Sequence, residues 1–391
     1  MVDSSDFNAA LRPALEAVAV QSGGHDAGYA NDLSVLGRIQ AELGQYDKAE
    51  ASYLQAIDAL QTAEGEFSLS LVSPYRGLAR SYIRAAHYPE AITALETARN
   101  ISQRNLGLFN VEQSPLLDDI TTAYLGLGDT REAQRVQLER LDNAVKRFGA
   151  NDQRVVPYRY VLADYYQRSR LPESAREQYA AALKTQEALL GPEHPGLLDP
   201  LRQLVRIDLL TSQTGERAAH ERLVSVVKDN PNTDAVERGL ALATLGDWAI
   251  VANDSNAARD YYKQAWDALS SKPDFDVAAT FAKPDMLDFI APLSSVDRGE
   301  KSRLPYGWAE IDLTFEVSAD GRARNVQVLR REGAQPSDLE SHYALRLRET
   351  HFRPRLVAGE VVATSNVQFT HYYRVYVNPK KKNAERTGDT G

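Results

Sequence analysis

The stretch Leu33–Ala56, LSVLGRIQAELGQYDKAEASYLQA, contains the pattern that decides the fold. Apolar and small residues recur three or four positions apart up to Gly44, and a second series of this kind begins at Tyr46. The spacing therefore predicts two helices that are separated at Gly44. The short side chains of Gly37 and Ala49 allow the two helix backbones to approach closely.

The same pattern recurs along the chain at an interval of 42 residues. An alanine series in the second helix and a glycine series after it coincide at this shift, namely Ala49, Ala91, Ala133 and Ala175, and Gly65, Gly107, Gly149 and Gly191. We expect each of these glycines to end a helix in the left-handed conformation. A further copy lies at Leu245–Ala265, which leaves room for a degenerate copy near residues 204–226. The sequence therefore predicts about six helix pairs.

These repeats resemble the tetratricopeptide repeat over residues 28–270. The resemblance rests on a series of small and aromatic residues and on its recurrence: Leu36, Gly37, Gly44, Tyr46, Ala49, Tyr53 and Ala56. The usual repeat has about 34 residues, and the longer interval together with Gly191–Pro195 resembles the kinesin-light-chain type. The resemblance implies a mainly α chain built as an α-solenoid. In such a solenoid the first helices of the units line a concave groove that binds partner proteins or peptides.

Arginines are frequent at the positions that this register directs toward the groove. We extend the helical register outward from the small residues Gly37, Ala79 and Ala163 to the surface of the first helices. The predicted partner-binding set is Arg38, Arg76, Arg80, Arg84, Tyr160, Arg168, Arg202 and Arg206. Guanidinium groups match carboxylates in geometry and charge, so an acidic or C-terminal peptide is the expected ligand. The alternative is that these arginines pair with acids on neighbouring helices, such as Glu42, Asp118 and Asp164.

The periodicity changes after Leu269. Residues 271–303 are rich in proline and predict a semi-extended linker. From Trp308 to Val317 apolar and polar residues alternate, which indicates a half-buried strand. A second strand near 324–331, a helix carrying Leu339, Tyr343 and Leu347, and a final strand near 361–377 follow. The sequence predicts a small α+β domain of strand-strand-helix-strand order at 304–378, then a disordered basic and polar tail at 379–391.

This C-terminal segment resembles the C-terminal domain of TonB-type energy transducers. The resemblance rests on five short motifs, Tyr306-Gly307-Trp308, Ala319-Asp320-Gly321-Arg322, Asn325-Val326-Gln327-Val328, His351-Phe352-Arg353-Pro354 and Gly359-Glu360-Val361-Val362. It implies that a partner strand adds to the last strand, where Tyr372, Arg374 and Tyr376 would face the partner. It also implies a place in the periplasm or cell envelope, with outer-membrane transport proteins as partners. The alternatives are that the linker covers this edge or that it forms a homodimer.

Composition and motifs argue against several other functions. The 391 residues carry a net charge of −9 and no cysteine, which gives no reason to expect nucleic-acid binding and excludes disulfides and thiolate chemistry. The sequence has no phosphate loop, zinc-protease motif or nucleophile elbow, so we expect no enzyme, no cofactor and no bound metal. Residues 1–27 predict an amphipathic N-terminal helix, and the sequence suggests no membrane span.

The two resemblances together predict a non-enzymatic adaptor that binds partner peptides through the repeat groove and through the C-terminal sheet edge. In this interpretation the protein belongs to the cell envelope and is linked to TonB-dependent transport across membranes. The alternative is a soluble scaffold or assembly protein whose C-terminal domain serves for dimerisation. It would be cytoplasmic if the start of the chain is complete.

Overall fold

The computed structural model describes residues 4–21, 26–211, 218–231, 233–289, 306–332 and 339–376. The chain forms two compact units, Met1–Ser169 and Arg170–Gly391. None of the helices within the described ranges has the length and hydropathy needed to cross a bilayer.

The first unit is helical throughout its described residues. Its helices are α1 (Ser4–Val20), α2 (Ala27–Glu42), α3 (Tyr46–Glu64), α4 (Val72–Arg84), α5 (Tyr88–Leu106), α6 (Ser114–Gly126), α7 (Thr130–Phe148) and α8 (Val156–Arg168). The predicted break at Gly44 separates α2 from α3. The N-terminal helix α1 packs on α2, with Phe7 and Leu11 against Leu36 and Ile39.

The 42-residue interval is built from a long second helix followed by a fixed connection. Each long helix ends at a glycine of the predicted series, and a single 3₁₀ turn precedes the next helix. At Gly107 φ is 90° and ψ is 160°, which is a region that essentially only glycine adopts. The glycines therefore end the helices as predicted, but in an extended conformation with positive φ rather than in the left-handed helical one.

Each connection is also held by a side chain at the same repeat position. Ser68, Asn110 and Asp152 each accept a hydrogen bond from a backbone N–H of the 3₁₀ turn that follows. This local capping satisfies backbone donors that the start of the next helix leaves free. A capped turn thus joins each of these pairs of adjacent units.

Aromatic residues in the connections contact cations on the second helix of the following unit. The guanidinium of Arg104 lies 3.9 Å from the ring centroid of Phe67, and the ammonium of Lys146 lies 4.5 Å from that of Phe109. The two pairs are related by the 42-residue shift. Each contact stabilises the stacking of adjacent units by about 0.5–1 kcal/mol.

The second unit begins with five helices and continues into a strand-rich region. Its helices are α9 (Pro172–Leu190), α10 (Leu198–Leu210), α11 (Ala218–Asp229), α12 (Ala235–Val251) and α13 (Ser255–Ser270). Every residue of α12 from Ala241 to Ile250 is buried, including Asp247. A helix that is buried on all sides has no solvent face, and here the strand-rich region covers the side that the helices leave open.

The strand-rich region contains one three-stranded antiparallel sheet and two short strand pairs. Its elements are α14 (Val277–Thr280), β1 (Asp285–Met286), β2 (Tyr306–Val317), β3 (Ala323–Glu332), α15 (Leu339–Glu349), β4 (Phe352–Arg353), β5 (Arg355–Val357), β6 (Glu360–Val362) and β7 (Thr364–Tyr376). The sheet has the order β3-β2-β7, β1 pairs with β4, and β5 pairs with β6. The alternate residues of β2 from Ala309 to Val317 are buried, together with Tyr343 and Leu347 of α15.

Two details of this region differ from the prediction. The predicted final strand is divided, because Ala358 and Gly359 both have positive φ and close a tight hairpin in which β6 pairs back onto β5. Part of the predicted linker is packed rather than semi-extended, since Phe281 is fully buried and Leu287 is 7% exposed. The rest of that linker, 290–303, and the predicted tail, 379–391, lie outside the described residues.

Candidate peptide-binding groove

A cavity of about 330 Å³ lies between α2 and α4 in the first unit. We call it the arginine cavity. Most of its wall residues occupy equivalent positions of two successive repeats, since five residues on α4 follow five on α2 by the 42-residue shift. The wall residues are Asn31, Ser34, Val35, Arg38, Ala41 and Glu42 on α2, and Ser73, Arg76, Gly77, Arg80, Ser81 and Arg84 on α4.

The floor of the arginine cavity is the ring of Tyr53, which comes from α3 and is 4% exposed. The ring fits between two glycines. A Cβ added at Gly77 would lie 2.4 Å from Cε1 of Tyr53, and one added at Gly37 would lie 3.0 Å from Cε2. Any larger residue at Gly77 therefore collides with the ring. Burial raises the pKa of the Tyr53 hydroxyl, so it stays protonated as a hydrogen-bonding group.

Two of the four arginines in the cavity hold acidic side chains. Nη2 of Arg84 lies 2.7 Å from Oε1 of Glu42, and Nε of Arg76 lies 2.5 Å from Oδ2 of Asp119 on α6. The hydrogen bond from Arg84 lowers the pKa of Glu42, and the charges of Arg84, Arg80 and Arg38 lower it further. These pairs fix the side chains that flank the cavity and leave its lining strongly positive.

The other two arginines, Arg38 and Arg80, are exposed and occupy the same repeat position on α2 and α4. Within the described ranges neither forms an ion pair with an acidic side chain. The lining contains four arginines and one glutamate, so the cavity attracts negatively charged groups. The two arginines without an acidic partner are those that a ligand carboxylate can bind.

The remaining residues of the predicted groove are distributed over α8 and α10. Arg168 lines a second cavity, between α6 and α8, and its Nε donates to the backbone oxygen of Asp164 at 3.3 Å. Tyr160 is half-buried on α8. On α10 in the second unit, Arg202 pairs with Asp199 and Arg206 is exposed.

The alternative acidic partners of these arginines are found in part. Glu42 does pair with Arg84. Asp118 pairs with Arg140, an arginine outside the predicted set, at 2.6 Å. Nε of Arg168 donates to the backbone oxygen of Asp164.

Tyr53 and Gly77 are site residues that the sequence reasoning missed. Tyr53 packs in the core, and its ring also lines the arginine cavity. The signal for Gly77 was present in the repeat alignment. Valine occupies the equivalent position in the units before it and two units after it, at Val35 and Val161, so a glycine there marks a local need for space.

The predicted edge strand β7 lies at one side of the three-stranded sheet, paired only with β2 among the described strands. Tyr372 is opposite Glu310 on the outer face of the sheet and is 60% exposed. Arg374 and Tyr376 belong to β7, but their side chains lie outside the described part of the chain. Within the described ranges no three His, Asp or Glu side chains are grouped as a metal site would require.

Two stretches of the chain match models of the tetratricopeptide repeat, at residues 33–59 and 159–196. No curated protein matches the chain. The first matched stretch contains Arg38, Glu42 and the floor residue Tyr53. The chain therefore contains tetratricopeptide repeats, and the first matched stretch supplies both a wall and the floor of the arginine cavity.

Solved structures with similar repeats have low identity to this chain. A protein designated a kinesin light chain from Podosopora anserina, with nearly identical TPR-like repeats, is 20% identical, with a TM-score of 0.40, over 53% of this chain and 98% of that one. BtubC from P. vanneervenii is 18% identical with a TM-score of 0.41, covering 69% of this chain and 92% of that one. The C-terminal part of a TPR repeat-containing protein from Cytophaga hutchinsonii is 10% identical with a TM-score of 0.46, covering 68% and 92%.

Proposed function

Because the chain contains tetratricopeptide repeats, which generally mediate contacts between proteins, we propose that it is a non-enzymatic adaptor that binds an acidic partner peptide in the arginine cavity. The peptide contributes aspartate or glutamate side chains, or its C-terminal carboxylate. No bond is made or broken in this function. The protein positions a partner and holds it.

The observation that carries the proposal is the state of Arg38 and Arg80. Both are exposed in a concave cavity, and neither is held by an acidic side chain of the described residues. A guanidinium without a carboxylate partner has all of its N–H donors available for a ligand. Arg38 and Arg80 are in this state, so the cavity is prepared for a ligand carboxylate.

The two paired arginines also favour binding of a ligand carboxylate. Arg84 and Arg76 are held in place by Glu42 and Asp119, and they keep their charge beside the open arginines. Their fixed positions reduce the side-chain entropy that the cavity loses when a ligand binds. The Tyr53 ring supplies an apolar floor on which the ligand backbone or an aliphatic side chain can pack.

The test is selection of a random peptide library on the full chain. We expect enrichment of Asp, Glu or a free C-terminal carboxylate on the wild-type protein and loss of that enrichment on the Arg38→Gln/Arg80→Gln variant. The matched control is Arg131→Gln, which removes an exposed arginine of α7 outside the cavity lining. Equal acidic enrichment on all three proteins, or no acidic enrichment on any, contradicts the proposal.

We further propose that the strand-rich region is a TonB-like domain and that a partner strand adds to β7 in the periplasm or cell envelope. The resemblance in the motifs supports this, as do the edge position of β7 and the exposure of Tyr372. A photo-crosslinking residue at position 372 in cells tests it. The matched control is the same residue at Leu329, which is 56% exposed on the opposite edge strand β3.

The crosslinking result also distinguishes the rival interpretation. Capture of an outer-membrane transport protein from position 372 alone supports strand addition and the link to TonB-dependent transport. Capture of a second copy of this chain supports the soluble scaffold that dimerises through its C-terminal domain. Cell fractionation of the same sample reports whether the protein is in the envelope or in the cytoplasm.

A further inference from the structure

The second cavity of the first unit, between α6 and α8, has a volume of about 490 Å³. We call it the amide cavity. It lies two repeats beyond the arginine cavity and uses equivalent positions, since Gln137 forms its floor where Tyr53 forms the floor of the arginine cavity. The lining differs in chemistry. Thr122 stands where the arginine cavity has Arg38, and Arg168 stands where it has Arg84.

Two polar atoms of this lining are buried without a hydrogen-bond partner in the described structure, Oε1 of Gln137 and Nε of Arg140. One is an acceptor and the other a donor. They belong to residues three positions apart on α7, which share one face of the helix. Gln137 is 4% exposed, and a buried polar atom without a partner is unfavourable. The pair therefore points to a ligand group that has both a donor and an acceptor.

The orientation of the Gln137 amide follows from its neighbour. The Thr121 hydroxyl donates to the backbone oxygen of Leu117 at 2.8 Å, so its oxygen can only accept from Gln137, whose Nε2 lies 2.9 Å away. One N–H of the amide is thereby used, which fixes the orientation of the group and leaves Oε1 as the open acceptor. Arg140 is fixed in a similar way, because its Nη1 donates to Oδ1 of Asp118 at 2.6 Å.

The exposed groups of the lining also favour a ligand group that has both a donor and an acceptor. The Thr122 hydroxyl donates to the backbone oxygen of Asp118 at 2.9 Å, so it can offer a ligand only an acceptor. Arg168 is exposed and offers donors. A carboxylate would supply no donor for Thr122 or Gln137, and an ammonium would supply no acceptor for Nε of Arg140. A primary amide supplies both a donor and an acceptor without charge.

We infer that the amide cavity binds an asparagine or glutamine side chain of the same peptide whose acidic residue occupies the arginine cavity. This inference rests on the proposed function. Neighbouring first helices pack about 8–10 Å apart, so two repeat steps separate the cavities by about 16–20 Å. An extended peptide rises about 3.3 Å per residue. The acidic residue and the amide residue are therefore about five or six positions apart in the partner.

The test uses the peptide library selected on the full chain and adds the variant Gln137→Leu. Leucine is the residue at the equivalent position of the intervening repeat, Leu95, so the substitution suits the packing, and a thermal melt followed by circular dichroism verifies the fold. We expect wild-type selections to pair Asp or Glu with Asn or Gln at that spacing. The Gln137→Leu variant should lose the amide preference and keep the acidic one.

The contribution of the amide residue is then measured as the ratio of two affinities, that of a selected peptide and that of the same peptide with its amide residue changed. Changing its amide residue to alanine should weaken binding to the wild type about tenfold, as expected for an amide with two hydrogen bonds, and weaken binding to Gln137→Leu less than about twofold. Acidic enrichment without an amide residue, or with the amide at an unrelated spacing, overturns this inference and leaves the proposed function standing. Absence of acidic enrichment as well overturns the proposed function itself.

Discussion

The guanidinium of Arg353 forms a two-point ion pair with the carboxylate of Asp247 and so joins β4 of the strand-rich region to α12 of the last helix pair. Nε donates to Oδ1 at 2.7 Å, and Nη2 donates to Oδ2. The Tyr262 hydroxyl donates to the same Oδ1 at 2.9 Å. The side chain of Asp247 is 1% exposed. The strand-rich region is therefore attached to the helices through the buried carboxylate of Asp247, which needs the Arg353 and Tyr262 side chains as partners.

Replacing Arg353 with methionine should destabilise the protein by about 3–5 kcal/mol, because the substitution leaves the Asp247 carboxylate buried and without its counter-charge. Urea unfolding followed by circular dichroism measures this change. The control is Arg322→Gln. Arg322 joins the same two regions through an exposed hydrogen bond to Asn253 at 2.6 Å, and its removal should cost less than about 1 kcal/mol. Equal losses from the two variants would contradict the assignment of Arg353 as the principal attachment.

The Tyr262 hydroxyl gives this attachment a pH dependence on the alkaline side. Burial, and then the charge of Asp247, raise the pKa of Tyr262 well above its ordinary value. The folded protein thus keeps this proton when the unfolded chain has lost it, so the contribution is complete below about pH 10 and falls as pH rises beyond that. The difference in unfolding free energy between wild type and Tyr262→Phe should therefore shrink from pH 8 to pH 11. A difference that stays constant over this range would contradict the proposed pKa shift.

Gly77 should be intolerant of even one added methyl group. Because the new Cβ would lie 2.4 Å from the Tyr53 ring, Gly77→Ala should displace the ring, destabilise the protein by about 1–3 kcal/mol and weaken acidic-peptide binding. Gly37→Ala, with a Cβ at 3.0 Å, should cost less. The double variant Tyr53→Leu/Gly77→Ala should recover stability without recovering binding. Recovery of both would mean that the Tyr53 ring is not part of the binding surface.

The repeat register was enough to predict the arginine cavity in part. The register, together with the groove that the tetratricopeptide resemblance implies, directs Arg38, Arg76, Arg80 and Arg84 to one surface, and all four line one cavity. Their state of pairing could not be predicted, because Arg76 contacts Asp119 across 43 positions and the partner depends on how the two helices pack. The ion pair between Asp247 and Arg353 spans 106 positions. No local pattern marks it, since each residue also fits its own repeat or motif.

The division of the last predicted strand has a different cause. Alternation of apolar and polar residues continues from Val361 into β7, so the pattern suggests one strand. The decisive feature is the turn at Ala358-Gly359, which directs residues 360–362 back onto β5. An alanine with positive φ is unusual, so the residue pattern does not indicate the tight hairpin, and only the resemblance at Gly359-Glu360-Val361-Val362 indicates a turn here.

The most direct test of the central claim is the affinity of a selected acidic peptide, measured by fluorescence anisotropy at two salt concentrations on wild type, Arg38→Gln/Arg80→Gln and Arg131→Gln. We predict that the double variant binds at least about tenfold more weakly and shows a smaller salt dependence, because two charge-assisted contacts are lost, while Arg131→Gln matches the wild type. Equal affinity and equal salt dependence for the wild type and the double variant would contradict the claim that the arginine cavity binds the partner.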